Sequence, residues 1–162
     1  MNKSSRLAAA LATTLVATAL VASAAGATKV GAGAPQNDSG TTYASITHTR
    51  GHLEIAAGNN YDKVLGEGAV TYQLKLLPAG NGTIKVKVPK VVLFSTTGSI
   101  AGTASATVTV NGNKQTITNG KLNLTKGTGG LKGRQFTGTF TGSSDLSKNL
   151  ITFKYKGLLT SH

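Results

Sequence analysis

Most of the chain alternates between apolar and polar side chains with a period of two, and this pattern leaves few folds open. Between residues 69 and 76, Val70, Tyr72, Leu74 and Leu76 fall on one face of an extended strand, while polar side chains fall on the other. The alternation recurs along most of the chain, and a helical spacing is sustained nowhere. The pattern therefore predicts an all-β domain whose strands are buried on one face only.

Turn and bulge signals divide the alternating segments into short strands. Asn111-Gly112 is a hairpin signal, because both residues tolerate the positive φ of a type I′ turn. Asn119-Gly120 indicates either a bulge or another turn, and Pro89 predicts a bend because it cannot donate a ladder hydrogen bond. The spacing of these signals gives about seven to nine strands. We expect a single antiparallel barrel of about eight strands with up-and-down connections, since closure removes exposed sheet edges.

The N-terminal residues predict export. A short basic stretch, an uncharged apolar run and small residues suited to cleavage follow one another within residues 1–27, which is the layout of a secretory signal peptide. An uncleaved anchor is the alternative. Residues 28–42 are small and polar and predict a flexible leader, so the barrel is expected over residues 43–162. We therefore expect a secreted protein, in the medium or the cell envelope, with no transmembrane span after the signal is removed.

The charge balance predicts an attraction to polyanions. The chain has seventeen Lys and Arg residues against five Asp and Glu, and fifteen basic residues remain once Lys3 and Arg6 leave with the signal. Anionic lipid, acidic wall polymers and acidic polysaccharides are candidate partners, although solubility alone would also explain dispersed lysines. Specific nucleic-acid binding is disfavoured, because Arg50 and Arg134 are the only arginines left. Cysteine is absent, which excludes disulfides and thiolate metal sites and favours a bacterial source for an exported domain.

The stretch KGTGGLKGRQFTGTFTG, residues 126–142, has the glycine content of a phosphate loop without its context. A phosphate loop ends in Gly-Lys-Ser/Thr and opens a helix, whereas Gly133 precedes Arg134 and an alternating strand. The stretch instead predicts a hairpin in which residues 127–130 turn and Leu131 plugs one end of the barrel. No nucleotide or other cofactor is expected.

Short motifs of this region resemble barrels of the allene oxide cyclase-like superfamily, which includes the plant dirigent proteins. The motifs are Gly-Thr-Gly at 127–129, Leu-Lys-Gly at 131–133 and Gly-Thr-Phe-Thr-Gly at 138–142. The segment 97–110 is similar to the strand pair that precedes this turn in small secreted bacterial members. The resemblance spans residues 47–159 and implies an eight-stranded barrel of the calycin type with a central cavity, often oligomeric. It does not by itself imply cyclase activity.

The sharpest polar cluster is a row of side chains at period two within residues 43–57. If that segment is one strand, His48, Arg50, His52 and Glu54 share a face. Acid–base chemistry, with His48 or His52 as the proton carrier and Glu54 as its orienter, is one hypothesis, and a polar outer face is the alternative. A metal site is disfavoured, because four alternate positions of a strand spread over about 20 Å.

Two functions remain open at this level. One is a secreted, non-enzymatic barrel that binds a small apolar ligand in its cavity or an anionic surface through its lysines. The other is a cofactor-free cyclase or isomerase, which the resemblance implies would need a carboxylate in an apolar cavity. Glu54, Glu67 and the nearby Asp62 are the available carboxylates, and each is expected to be a solvated or lysine-paired surface group. The expected cavity lining consists of Tyr72, Phe136, Phe140, Phe153 and Tyr155.

Overall fold

The computed structural model describes residues 34–161, which form eight β-strands and one short 3₁₀ helix. The strands are β1 (Gln36–Arg50), β2 (Leu53–Asp62), β3 (Gly66–Gly80), β4 (Thr83–Ser95), β5 (Gly98–Asn111), β6 (Lys114–Gly127), β7 (Arg134–Asp145) and β8 (Leu150–Ser161). The 3₁₀ helix, Gly129–Leu131, lies between β6 and β7. The all-β class predicted from the period-two pattern is confirmed.

Each strand pairs antiparallel with the next in sequence, and β1 also pairs with β8, so the sheet is closed. The closing register runs from Gln36 opposite Leu159 to Ala44 opposite Ile151. This arrangement confirms the predicted single antiparallel barrel of eight strands. We call the end where β1 begins and β8 ends the terminal end, and the end that carries the β1–β2, β3–β4, β5–β6 and β7–β8 turns the hairpin end.

The barrel starts earlier than the sequence predicted. Residues 36–42, expected as the last part of a flexible leader, belong to β1 and pair with β8, and residues 40–42 also pair with β2. Asp38 and Thr42 are buried there. The leader prediction is wrong for these residues, because their inward side chains are small or polar and give no apolar alternation. The predicted signal peptide, residues 1–27, and residues 28–33 lie outside the described residues.

Bulges occur where the sequence indicated them. The β4–β5 register shifts between Val88 and Val91, on either side of Pro89. The β6–β7 register shifts between Ile117 and Gly120, and Asn119 adopts a φ of 52° there, which decides between the two expectations in favour of a bulge. Each bulge re-aims the strand, so that apolar residues on both sides of it still point into the barrel.

The glycine-rich stretch forms the predicted strand–turn–strand. β6 ends at Gly127, the short helix follows, and β7 begins at Arg134. Leu131 is only 2% exposed and belongs to the core, at the terminal end of the barrel. The turn is tied to the β4–β5 connection, since Gly130 N donates to Thr97 O at 2.7 Å. The stretch therefore closes one end of the barrel.

The interior is packed with side chains from all eight strands, and aromatic rings occupy its middle. Phe153 contacts two rings edge to face, with its centroid 5.6 Å from that of Tyr72 and 5.3 Å from that of Phe140. A closed sheet of eight strands encloses a space that side chains can just fill. The largest fully buried apolar side chains are Ile100, Leu124, Leu159 and Val70.

Two paired glycines make room for a further ring inside the barrel, that of Phe136. Gly138 on β7 lies opposite Gly157 on β8, and Phe136 packs its ring over both backbones. A Cβ added at Gly157 would lie 2.7 Å from Phe136 Cζ and 2.6 Å from Gly138 Cα. Gly138, which lies between Phe136 and Phe140 on the inner face of β7, thus receives the ring of Phe136 itself.

We expect Gly157→Ala to lower the free energy of unfolding by about 1–3 kcal/mol, because the added methyl group overpacks a backbone contact that cannot relax. The net loss is smaller than the full cost of the clash, because replacing glycine by alanine also stabilises the protein by up to about 1 kcal/mol through a less flexible unfolded chain. Urea denaturation measures the change. Thr139→Ala, at an exposed position of β7, is the control and should change stability by less than about 0.5 kcal/mol. A Gly157→Ala variant as stable as the wild type would contradict this packing.

Candidate functional site

The row of polar residues expected on one face is divided in the structure. A turn at Gly51 and His52 separates β1 from β2, so His52 lies in the hairpin and not in a strand. A register shift between Ile46 and His48 then places His48 opposite Ile55, while Glu54 pairs with Thr49. His48 and Glu54 therefore lie on opposite faces of the sheet, and the shared face predicted for the row is wrong.

Glu54 is the one member of that row that points into the barrel, so its expected position at the surface is wrong. It lines a cavity of about 80 Å³ near the hairpin end, among aliphatic side chains and the rings of Phe140 and Phe153. Ser144 and Gln115 line the same cavity, and Ser144 Oγ donates to Gln115 Oε1 at 2.6 Å. Burial raises the pKa of the Glu54 carboxyl above its usual value. The cavity thus combines an apolar wall with one carboxyl group.

The predicted aromatic residues are all inside the barrel, but they fill it more than they line an open space. Four of them, Tyr72, Phe140, Phe153 and Tyr155, border a cavity of about 50 Å³. Phe136 packs instead against Tyr155, with ring centroids 5.7 Å apart. Pockets that hold drug-sized ligands are typically about 300–1,000 Å³. Neither this cavity nor the one beside Glu54 approaches that size.

A buried pair of carboxyl groups lies at the terminal end and was not predicted from the sequence. Asp38 on β1 and Asp62 on β2 are 3% and 8% exposed. Asp62 Oδ1 accepts hydrogen bonds from Val64 N at 2.8 Å and Leu65 N at 2.6 Å, so the carboxylate also fixes the β2–β3 loop. Asp38 Oδ1 accepts from Ser39 N at 2.7 Å.

The pair is connected to the last strand through a glycine. Gly40 on β1 lies opposite both Asp62 on β2 and Tyr155 on β8. A Cβ at Gly40 would overlap the Tyr155 hydroxyl, so the missing side chain lets the phenol reach across β1. Tyr155 Oη lies 2.5 Å from Asp62 Oδ2 and 3.0 Å from Asn60 Oδ1, and the shorter contact takes its single proton.

One proton decides the charge of this cluster. Burial, the negative charge of Asp62 and a hydrogen bond to the Asp62 carboxyl together raise the pKa of Asp38 to about 7. Asp38 Oδ2 is buried and meets no donor, but a protonated Asp38 can donate to Asp62. Two carboxyl groups that share a site hold such a proton tightly, because both cannot be ionised without strong repulsion.

Only a weak signal for this cluster is present in the sequence. Asp38 fell in the presumed leader, and Asp62 was expected at the surface, which is wrong since its carboxylate is buried. The inward face of β2 continues from Ala56 through Gly58 and Asn60 to Asp62. Extending the period-two alternation of β2 past Ala56, its last apolar inward residue, would have placed the side chains of Asn60 and Asp62 inside the barrel. The third carboxylate considered, Glu67, lies opposite Tyr61 on the outer face and is exposed.

The barrel wall separates acidic from basic side chains. Of the five acidic residues, Asp38, Glu54 and Asp62 face the interior, and Glu67 and Asp145 do not. Of the seventeen basic residues, Lys3, Arg6 and Lys29 precede the described part of the chain, Arg134 is buried, and the other thirteen are exposed. The outer surface that the structure describes is therefore strongly positive.

Four of the exposed lysines form a row around the outside, which we call the lysine belt: Lys75, Lys87, Lys121 and Lys156. Lys75 is directly opposite Lys87, and the register continues through Ser105 to Lys121. It then passes through Thr139 to Lys156 on β8. Since neighbouring strands are about 4.8 Å apart, successive members are one or two strand spacings from each other.

Several other kinds of site find no support within residues 34–161. No three or more His, Asp or Glu side chains there are grouped so that they could hold a metal ion. No helix in this part of the chain is long and apolar enough to cross a membrane. Comparison with known proteins gives no further guide, since no family model, curated protein or solved structure matches the chain.

We expect Asp38→Asn to remove a pH dependence of stability. The folded state holds the Asp38 proton with a pKa of about 7, against an ordinary value of 3.8, so it binds more protons than the unfolded chain between these values. Wild-type stability should therefore fall as pH rises from about 4 to about 7, and the asparagine variant should be more stable at pH 8 by about 1–3 kcal/mol. Urea unfolding across this pH range tests the difference.

The control for this experiment is Asp145→Asn. Asp145 is the last residue of β7, at the hairpin end, where a hydrogen bond from the Ser147 side chain lowers the pKa of its carboxyl. Its removal should leave the wild-type trend between pH 5 and pH 7 in place. An Asp38→Asn variant with the same pH dependence as the wild type would show that Asp38 does not hold the proton.

Proposed function

We propose that this protein is a non-enzymatic barrel that binds polyanions through its outer surface. The proposal rests on the separation of charge across the barrel wall. Thirteen basic side chains are exposed on the described surface, and only two carboxylates lie outside the interior. Such a surface attracts anionic polymers and raises their rate of encounter. The predicted export, which concerns residues outside the described part, would bring the protein to the acidic polymers of a cell exterior.

The lysine belt favours a binding role over simple solubility. Like charges directly opposite each other in a sheet are destabilising, and Lys75 lies directly opposite Lys87. Solubility would be served as well by lysines placed apart, or by carboxylates between them. In the belt, the intervening positions are instead the neutral hydroxyl residues Ser105 and Thr139. A continuous row of cations with hydroxyl groups between them suits an extended anionic chain.

The interior offers less room for the other ligand class considered, a small apolar molecule. The two cavities of about 50 and about 80 Å³ are each large enough for little more than a few solvent-sized groups. Binding a larger apolar ligand would require the central rings of Tyr72, Phe140 and Phe153 to move apart. The outer surface needs no such rearrangement, which is why we place binding there.

Replacing the four belt lysines by glutamine should weaken binding to a polyanion roughly thirtyfold, taking about 0.5 kcal/mol for each exposed ion pair. The measurement is a binding titration against polyphosphate and dextran sulfate at salt concentrations from about 20 to about 500 mM. Wild-type affinity should fall steeply across that range, because salt screens exposed charges.

The matched control removes the same charge elsewhere. Lys90, Lys114, Lys132 and Lys148 are also exposed, and their joint replacement by glutamine leaves the belt intact. This control should lose several-fold less affinity than the belt variant. Equal losses would assign binding to net charge alone, and binding that does not respond to salt would overturn the proposal.

A second candidate function follows from Glu54 and from the resemblance to allene oxide cyclase-like barrels, which stays a prediction. In this reading the protein is a cofactor-free cyclase or isomerase, and the carboxyl of Glu54 stabilises developing positive charge in the cavity near the hairpin end. The observation in its favour is that Glu54 lies in an apolar cavity beside Gln115 and Ser144. The size of that cavity is the observation against it.

Turnover of an unsaturated epoxide or a phenoxy-radical precursor, followed by product analysis, tests this candidate. If the activity exists, Glu54→Gln should lower kcat by at least about a hundredfold, as expected for loss of a general acid–base or charge-stabilising group. His48→Gln is the control, since His48 lies on the other face of the sheet and should leave kcat unchanged. Absence of turnover in the wild type would remove this candidate.

A further inference from the structure

Two exposed tyrosines lie on the outer face of β1 and β2, outside the core of the barrel. Tyr43 and Tyr61 are 46% and 45% exposed. Their rings meet edge to face, with centroids 6.0 Å apart and planes at 74°. Each residue therefore keeps close to half of its surface accessible to water, so the pair is available for contact with a partner.

The residues directly opposite this tyrosine pair are all polar. Tyr43 lies opposite Asn59 on β2 and Thr152 on β8. Tyr61 lies opposite Thr41 on β1 and Glu67 on β3. No apolar patch extends from the pair at these neighbouring positions, so it is poorly suited to insertion into a lipid bilayer or to a dry protein–protein contact.

The tyrosine pair adjoins the lysine belt. Tyr61 lines a shallow surface depression together with Lys63, Lys154 and Lys156, and the last of these belongs to the belt. Lys156 pairs with Ser39, and Ser39 O accepts a hydrogen bond from Lys63 N at 2.9 Å, which carries the row of cations on to the β2–β3 loop. The same depression contains the hydroxyl groups of Thr41, Thr139 and Thr141 and the carboxylate of Glu67.

We propose that this depression binds an acidic polysaccharide, with sugar rings stacked on Tyr61 and Tyr43 and uronic carboxylates paired with Lys63, Lys154 and Lys156. The inference rests on the proposed polyanion binding and specifies its partner. A sugar ring has an apolar C–H face that packs on an aromatic ring and hydroxyl groups at its edge, which match the threonines and Glu67. Polyphosphate has the charge without the apolar face, so it would gain nothing from the tyrosines.

The test compares Tyr43→Ala combined with Tyr61→Ala against the wild type on four probes: polygalacturonate, polyphosphate, neutral dextran and anionic lipid vesicles. The double variant should lose roughly tenfold in affinity for polygalacturonate, since it removes two stacking surfaces, and should bind polyphosphate as the wild type does. Phe94→Ala, which removes an aromatic side chain that is 43% exposed on β4, is the control and should change neither affinity. Thermal unfolding confirms that the variants are folded.

A second measurement reports on the tyrosines directly. The chain has no tryptophan and four tyrosines, and Tyr72 and Tyr155 are buried, so quenching of the emission by added acrylamide, a neutral quencher, reports mainly on Tyr43 and Tyr61. Polygalacturonate should protect this emission from acrylamide by covering the rings, and polyphosphate should not.

The outcomes separate this inference from the function on which it rests. Salt-sensitive binding of polygalacturonate and polyphosphate that is equally strong in the double variant would retain polyanion binding and overturn the polysaccharide site. A loss confined to lipid vesicles would also overturn it, in favour of a membrane surface, and equal binding of neutral dextran would show that the lysines do not select the partner. No binding of any polyanion would overturn the proposed function itself.

Discussion

The pairing of β1 with β8 is the interaction on which the rest of the structure depends. Nine residue pairs join the first strand to the last and remove both edges of a sheet that would otherwise expose unpaired backbone groups. Once the sheet is closed, every strand position points either into the barrel or out of it. The alternation in the sequence then becomes a separation in space, with most apolar groups and three of the five acidic residues inside and thirteen basic residues outside.

Closure of the barrel also brings several buried polar side chains together at one place. Asp38 and Gly40 lie on the strand that is shared by the two pairings, and Asp62 and Tyr155 approach them from β2 and β8. The carboxyl pair and the phenol thus form a buried polar cluster beside the apolar core, where the first and last strands meet. Buried carboxyl groups are tolerated because donors from the β2–β3 loop and the phenol satisfy Asp62, while Asp38 keeps its own proton up to about neutral pH.

The sequence predicted the barrel well because its strands depend on local alternation. Strands with apolar inner faces, such as β3 with Val70 and Leu74, were recognisable, and so were the bulges at Pro89 and Asn119. The first half of β1 was missed because Asp38, Gly40 and Thr42 carry no apolar signal. The prediction that His48 and Glu54 share a face was wrong for a different reason. A turn lies between the two residues and a bulge lies just before His48, and each changes the phase of the alternation. The lysine belt and the tyrosine pair depend on the register between strands, which no single segment contains.

The proton on Asp38 has a consequence for how the chain folds. The contacts between β1 and β8 have the largest sequence separation in the barrel, and such non-local contacts form slowly. In mildly acidic surroundings these two strands come together around a neutral Asp38, whereas at higher pH they must first remove water from two negative charges. Closing the barrel is therefore more favourable in mildly acidic surroundings than at alkaline pH, and one carboxyl group on the first strand accounts for the difference.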